Sequence, residues 1–285
     1  MKFFVLAGTS DGRYLASSLK EKGHDVLVSA LTEYGAQLSS ASGLQVRHGA
    51  LDADGLNHIL QQGRFNALID ATHPFAVKVK EVAKEACQTS RTPYIRWERL
   101  DTQSSIQAAS SALRASFADD IPTAAQMASE LGERILLTVG SNTLEEWIKQ
   151  DSLRTKQIFI RVLPTSKILA KCEALGFKPN QIIAAQGPFS QKSNQALFEE
   201  LSIDVVITKD SGKEGGTLEK AEACAALGIP LILLKRPEQS LNQIDQAEPK
   251  SLNQAEVINR VAPIGEGTLN RDLVESFITR LERVL

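Results

Sequence analysis

An α/β fold, two Rossmann-like parallel-sheet domains with a cleft between them, is predicted by three observations on this 285-residue sequence. Apolar runs alternate with helical periodicity almost from end to end. Three of those runs stop at Gly, Pro or small polar residues and lead directly into a helical pattern. The alternation breaks in a polar, Ser-rich stretch at 98–116 and then restarts. Repeated βαβ units build parallel, doubly wound sheets. In such sheets ligands sit beyond the carboxyl ends of the strands, which is where the three abrupt stops fall.

The first half predicts strands at 2–7, 25–30, 44–48, 66–71 and 93–97, with helices near 11–22, 31–42, 52–62 and 74–89. In the last of these helices Phe75, Val79, Val82, Ala83 and Ala86 share one face, and Pro74 suits its first turn. The second half predicts strands at 134–139, 157–162, 181–185, 203–208 and 230–234, with helices near 121–131, 142–150, 165–175, 190–201 and 217–227. The domains implied are 1–113, which would bind a dinucleotide, and 114–237, which would bind substrate. Residues 238–267 read as a polar connection. An amphipathic helix over 268–285 is suited to packing or to contact with a second copy, so a homo-oligomer stays open. Two internal echoes support duplication. Leu6-Ala7-Gly8-Thr9-Ser10 resembles Thr138-Val139-Gly140-Ser141-Asn142, and His73-Pro74-Phe75-Ala76 resembles Gly187-Pro188-Phe189-Ser190.

Composition removes several functions. Hydrophobic residues at 42% and charged residues at 23% describe an ordinary globular chain. A net charge of -2 with 5% aromatics supplies neither the basic field nor the stacking platforms of a nucleic-acid binder. No apolar run approaches a membrane span. The opening Met1–Ala7 run ends in Gly8-Thr9-Ser10-Asp11 without a cleavage pattern, so a strand and a cytoplasmic protein are expected. Cys87, Cys172 and Cys224 are dispersed, which fits reduced, buried thiols, and no Cys/His cluster has metal-site spacing.

The first turn, Gly8-Thr9-Ser10-Asp11-Gly12-Arg13, follows a strand and opens a helix. Unpaired amides and the helix dipole favour a phosphate there, with Thr9, Ser10 and Arg13 adding donors. A tight turn with an N-cap and no ligand is the competing reading. The second strand ends Val28-Ser29-Ala30, without the acid that holds ribose hydroxyls in NAD-binding folds; Glu33 is the first carboxylate after it. That favours NADP, with Ser29 as a 2′-phosphate contact. At the end of the fourth strand His73 reads either as a turn cap or as a donor beside the nicotinamide or substrate, and Asp70 as a holder of turn amides. The Lys209–Gly216 segment carries three glycines with Lys209 and Lys213, which suit carboxylates or phosphates, and Thr217 is expected to cap the helix behind it. Arg96, Arg99 and Arg161 would add positive charge at strand ends. A polycarboxylate is the matching substrate, although ordinary salt bridging also explains such arginines.

Five of these pieces, in order over residues 1–236, resemble the precorrin-6A reductases, also called cobalt-precorrin-6A reductases, of vitamin B12 biosynthesis. They are Leu6–Arg13, Asp70–Ala76, Tyr94-Ile95-Arg96, Gln186-Gly187-Pro188-Phe189-Ser190 and Thr208–Gly212. The resemblance implies NADPH-dependent reduction of one double bond in a corrinoid macrocycle. On the matching positions, coenzyme contacts are expected from Gly8, Thr9, Ser10, Gly12 and Arg13, joined by Thr72, His73 and Pro74; Ser29 is added from the reading of the second strand's end. The tetrapyrrole is expected to meet Arg96, Gln186, Gly187, Ser190, Lys209, Ser211 and Gly212 on those positions, and Arg161 as further positive charge at a strand end. His73, Lys209 and Asp210 are the candidates for a catalytic part. Other NADP-dependent reductases, epimerases and a non-catalytic NADP sensor are the alternatives. None of Tyr14, Tyr34 and Tyr94 has a lysine four residues on, which counts against short-chain dehydrogenase chemistry.

Overall fold

The computed structural model describes residues 1–97, 106, 113–212, 215–237 and 271–285. They fall into two compact units, one drawn from Met1–Arg99 and Glu238–Leu285, the other from Leu100–Pro237.

In the first unit β1 (Lys2–Leu6), β2 (Asp25–Ala30), β3 (Gln45–His48), β4 (Ala67–Asp70) and β5 (Tyr94–Arg96) form an all-parallel sheet of order β3-β2-β1-β4-β5. Helices α1 (Ser10–Glu21), α2 (Glu33–Ala41), α3 (Ala53–Gly63) and α4 (Val77–Ser90) connect the strands. β1 is apolar on both faces because both faces are covered. Phe3, Val5 and Ala7 pack with Leu15, Ala16 and Leu19 of α1, whereas Phe4 and Leu6 pack with Leu56 and Leu60 of α3 and Ala83, Ala86 and Cys87 of α4. The α1 side is completed by a helix from the far end of the chain, which buries Val274, Phe277, Ile278 and Leu281 in the same cluster. The Trp97 and Phe277 rings meet edge to face at 4.9 Å, and Glu282 bonds His24 at 2.9 Å. The tail helix is thus part of this unit's core.

The second unit contains β6 (Ala115–Ala118), β7 (Arg134–Thr138), β8 (Gln157–Val162), β9 (Ile182–Ala184), β10 (Val205–Lys209) and β11 (Leu231–Leu234). They form a parallel sheet of order β6-β11-β10-β7-β8-β9. Its helices are α5 (Ile121–Leu131), α6 (Leu144–Ile148), α7 (Ser166–Ala174), α8 (Gln191–Glu200) and α9 (Thr217–Leu227); the tail helix is α10 (Arg271–Val284). Among the described residues, no helix is long and apolar enough to cross a membrane.

Several sequence expectations need correction. β6 is not predicted by the sequence, because three half-buried residues and one buried alanine at a sheet edge carry no run long enough to read. α4 starts at Val77 rather than at Pro74, since Ala76 closes a turn onto the His73 carbonyl first. α9 is capped not by Thr217 but by Gly216 in the left-handed region at φ +67. The second echo also pairs the wrong loops. Sheet order makes β7, β8, β9, β10 and β11 the counterparts of β1, β2, β3, β4 and β5. The turn after β4 therefore corresponds to Asp210–Gly216 after β10, not to Gly187–Ser190 after β9. The first echo, Gly8 with Gly140, falls on true counterparts. The polar connection expected over 238–267, Arg99, and Lys213 with Glu214 lie outside the described residues.

Candidate active site

The β1–α1 turn is built by its own side chains. Thr9 is the N-cap of α1; its Oγ1 accepts the Gly12 amide at 3.2 Å and donates to the Ala71 carbonyl at 3.1 Å. The hydroxyl expected to reach a phosphate is spent on tying this turn to the end of β4. Gly12 is glycine because β4 is so near: a Cβ there would lie 3.1 Å from both Ala71 Cβ and the Ala71 carbonyl oxygen. Gly8 is exposed, and a Cβ on it would meet nothing within 4 Å. Ser10 is exposed as well, Arg13 is partly buried, and Asp11 turns inward at 3% exposure. The first turn of a 12-residue helix thus presents its donors beside an open glycine, a fit for a diphosphate.

At the end of β2, Ser29 is buried and its Oγ accepts from Arg47 Nη1 at 2.8 Å. Arg47 stands directly across the sheet on β3 and also donates to the Gly49 and His48 carbonyls at 3.0 and 2.9 Å. Partial burial lowers its pKa somewhat from the ordinary value. Leu31, which follows β2, is 70% exposed. Arg47 stands in no motif of the sequence. The signal was there in the pairing of the two strand ends, which only the register of β2 on β3 reveals.

The end of β4 is a dense polar knot. Asp70 is fully buried; its Oδ1 accepts the Thr72 amide at 2.9 Å and the Thr72 hydroxyl at 2.6 Å, and its Oδ2 accepts the Tyr94 hydroxyl at 2.6 Å. Arg96 pairs with the same carboxylate at 2.8 Å and donates to the Asp70 and Thr72 carbonyls. Burial first, then the Asp70 charge, holds the Tyr94 phenol protonated well above its ordinary range. Arg96, expected on a substrate rim, is 5% exposed and braces this turn instead. Beyond the knot, His73 Nδ1 accepts the Phe75 amide at 3.2 Å, so the neutral ring carries its proton on Nε2. Pro74 is buried, and its carbonyl accepts from Lys80 at 2.6 Å.

In the second unit Arg161 is likewise a brace. It is 8% exposed, donates to Asn194 Oδ1 at 2.7 Å and lies 4.3 Å over the Phe189 ring. Burial lowers its pKa to about 10. Asn194 passes the support on to the Ser190 carbonyl at 3.0 Å. Ser190 caps α8, its Oγ accepting the Ser193 amide, while Gln186 and Gly187 are exposed beside it. After β10, Lys209 is partly buried; desolvation lowers its pKa, and Glu146 opposes that. Asp210 is fully buried. Its Oδ1 accepts the Gly212 amide at 3.3 Å, and its Oδ2 pairs with Arg236 at 3.3 Å. Ser211 and Thr217 share a buried hydroxyl contact at 3.2 Å, and Gly212 takes φ +78. No cluster of metal-ligating side chains occurs among the described residues.

A parallel sheet with a glycine turn after its first strand, joined to a second sheet of the same build, defines a two-domain α/β protein of the Rossmann-like class. The family model described as Precorrin-6x reductase CbiJ/CobK matches residues 2–261, and the chain belongs to that family. It is therefore a reductase acting on a CH–CH bond, in the family that the five ordered motifs resemble. The chain is 40% identical over 247 residues to the cobalt-precorrin-6A reductase of Methanothermobacter thermautotrophicus, covering 85% of this chain and 78% of that one. It is 36% identical over 233 residues to the enzyme of the same name from Salmonella typhimurium, covering 82% and 86%. A solved CobK precorrin-6A reductase shares the fold, with a TM-score of 0.66 at 24% identity over 83% of this chain and 88% of that one.

Proposed function

We propose that the chain uses NADPH to reduce one double bond of cobalt-precorrin-6A, giving cobalt-precorrin-6B in cobalamin biosynthesis, and that it does so in the cytoplasm. The cobalt-bearing form is favoured because relatives at 40%, 36% and 34% identity carry that name, whereas at 29% and 30% both names occur. When bound, NADPH supplies the hydride. The chain's own residues supply position and exclusion of water. The first turn of α1, with Gly8, Ser10 and Arg13, holds the diphosphate; Thr9 and Gly12 shape that turn rather than touch the ligand. Thr72 and Pro74 set the path of the β4 turn, and the Nε2–H of His73 is the donor at the nicotinamide end. Lys209, Ser211 and Gly212, with Gln186, Gly187 and Ser190, serve the carboxylate-bearing macrocycle, while Arg161 braces the second of those turns. The proton that completes the new C–H pair comes from solvent. Asp210, engaged by Gly212 and Arg236, holds the loop and has no part in proton transfer.

The observation that carries the choice of NADPH over NADH is Arg47 lying on Ser29. A guanidinium with a hydroxyl beside it suits a 2′-phosphate, and no carboxylate ends β2 to repel one. NADPH is expected to raise the melting temperature of the purified protein clearly more than NADH at equal concentration. Arg47→Ala is expected to weaken NADPH binding by about tenfold to a hundredfold while leaving NADH binding within twofold, as loss of a charge-assisted phosphate contact should. Equal shifts for the two coenzymes in the unaltered protein would refute the preference. An unchanged NADPH dissociation constant in the variant would remove Arg47 from the site.

A further inference from the structure

The turns after β4 and β10, which sheet order makes counterparts, are held by one frame used twice. Each begins with a fully buried aspartate, Asp70 or Asp210, whose Oδ1 accepts the amide two residues on, from Thr72 at 2.9 Å or Gly212 at 3.3 Å. Twenty-six residues later an arginine from the neighbouring strand's end grips both the carboxylate and the backbone carbonyl of that aspartate. Arg96 does so at 2.8 and 3.0 Å, Arg236 at 3.3 and 3.2 Å. Ten residues after each aspartate stands a buried lysine, the fourth residue of the following helix. Lys80 is 4% exposed and donates to the Pro74 carbonyl at 2.6 Å. Lys220 is 6% exposed and donates to the Gly215 and Gly216 carbonyls at 2.9 and 2.8 Å.

Burying an ammonium group is costly unless it is paired or hydrogen-bonded, and in both turns backbone carbonyls supply the bonds. Carbonyls at the mouth of a helix are the unusual acceptors in both units, since the first turn of a helix normally presents donors. The lysine reaches back from inside the helix and pulls the entering chain down onto it. Each turn is then fixed at both ends, by the aspartate–arginine pair at the strand and by the lysine at the helix.

We propose that Lys80 and Lys220 are matched positioning residues, Lys80 setting the shape of the turn that meets the coenzyme and Lys220 the shape of the turn that meets the macrocycle. The division of ligands between the turns rests on the reading under Proposed function; the shared frame does not. Neither lysine touches a reacting group. Each acts through the backbone it holds, so its loss should appear in binding of one ligand and not the other.

The test is a crossed pair of substitutions in the full chain, Lys80→Met and Lys220→Met, which keep the buried stem and remove the donor. NADPH binding is measured by fluorescence titration without substrate, and the tetrapyrrole KM by anaerobic turnover at saturating NADPH. Lys80→Met is expected to weaken NADPH binding roughly tenfold and leave the tetrapyrrole KM within twofold. Lys220→Met is expected to raise the tetrapyrrole KM roughly tenfold and leave NADPH binding within twofold. Arginine at each position, which retains a donor, should fall between wild type and methionine and covers the case of a methionine variant that does not fold. Variants that lose melting temperature and active fraction with both ligand constants unmoved would show a merely structural role and overturn the proposal. A split of the opposite sense would instead overturn the assignment of ligands to turns, and the proposal with it. NADPH binding absent from the unaltered protein would overturn the coenzyme reading, and the part given to Lys80 with it.

Discussion

Replacing Asp70 by alanine is expected to lower stability by about 3–5 kcal/mol, the cost of stranding a buried charge whose partner has been removed. Arg96 has a side chain 3% exposed, and its counter-ion would be gone. The Tyr94 hydroxyl and the Thr72 amide and hydroxyl would lose their acceptor in the same substitution. Asparagine at this position keeps the shape and one acceptor oxygen, so it should cost less than alanine while still losing the ion pair. The counterpart Asp210→Ala should be milder, because Arg236 is 17% exposed at its side chain and both its contacts with Asp210 are longer. Urea unfolding followed by circular dichroism gives the comparison. A midpoint for Asp70→Ala within experimental error of wild type would show that water replaces the carboxylate and that the knot carries no stability.

The sequence made the strands legible because both faces of each parallel sheet are covered, and the stretches Phe3–Leu6, Ala67–Ile69, Val205–Ile207 and Leu231–Leu234 therefore read as unbroken apolar runs. It made the strand-end turns legible as well, since Gly12 and Gly212 mark places where a Cβ would collide or φ is positive. Charge was read less well. Arg96 and Arg161 were expected at a substrate rim because a sequence shows that an arginine ends a strand but not which way it turns. Both turn inward, onto Asp70 and onto Asn194 with Phe189. Arg47 is not legible because its partner Ser29 lies 18 residues away and meets it only through sheet register. The repeated Asp, Lys and Arg spacing was present in the sequence all along. It was hidden by the shorter likeness of His73-Pro74 to Gly187-Pro188, which joins loops that sheet order keeps apart.

The Lys220 ammonium makes a further prediction that can be read without any ligand. Burial, and secondarily the Arg161 charge, pull its pKa down from an ordinary 10.5 to about 7, against a smaller upward pull from Glu219 and from Cys224. Above the ordinary lysine value the amine is neutral whether the chain is folded or not. Below about 7 it is charged in both states, and the folded protein then carries the whole penalty of the buried charge. Between those limits the unfolded chain binds a proton that the folded chain does not, so stability rises with pH there. A full proton of difference corresponds to about 1.4 kcal/mol for each pH unit. The unfolding free energy of wild type, taken relative to Lys220→Met, is therefore expected to climb between pH 7 and 9 with a slope approaching that figure. Cys224 and Cys87, whose thiols burial pushes up to about 12, are present in both proteins and leave the difference little changed over this range. The contact itself should survive the titration, because a neutral amine still has two N–H donors and the loop offers the carbonyls of Gly215 and Gly216. A difference that stays flat across these two pH units would mean that Lys220 keeps its proton in the fold, and that Glu219 or water compensates the charge where it lies.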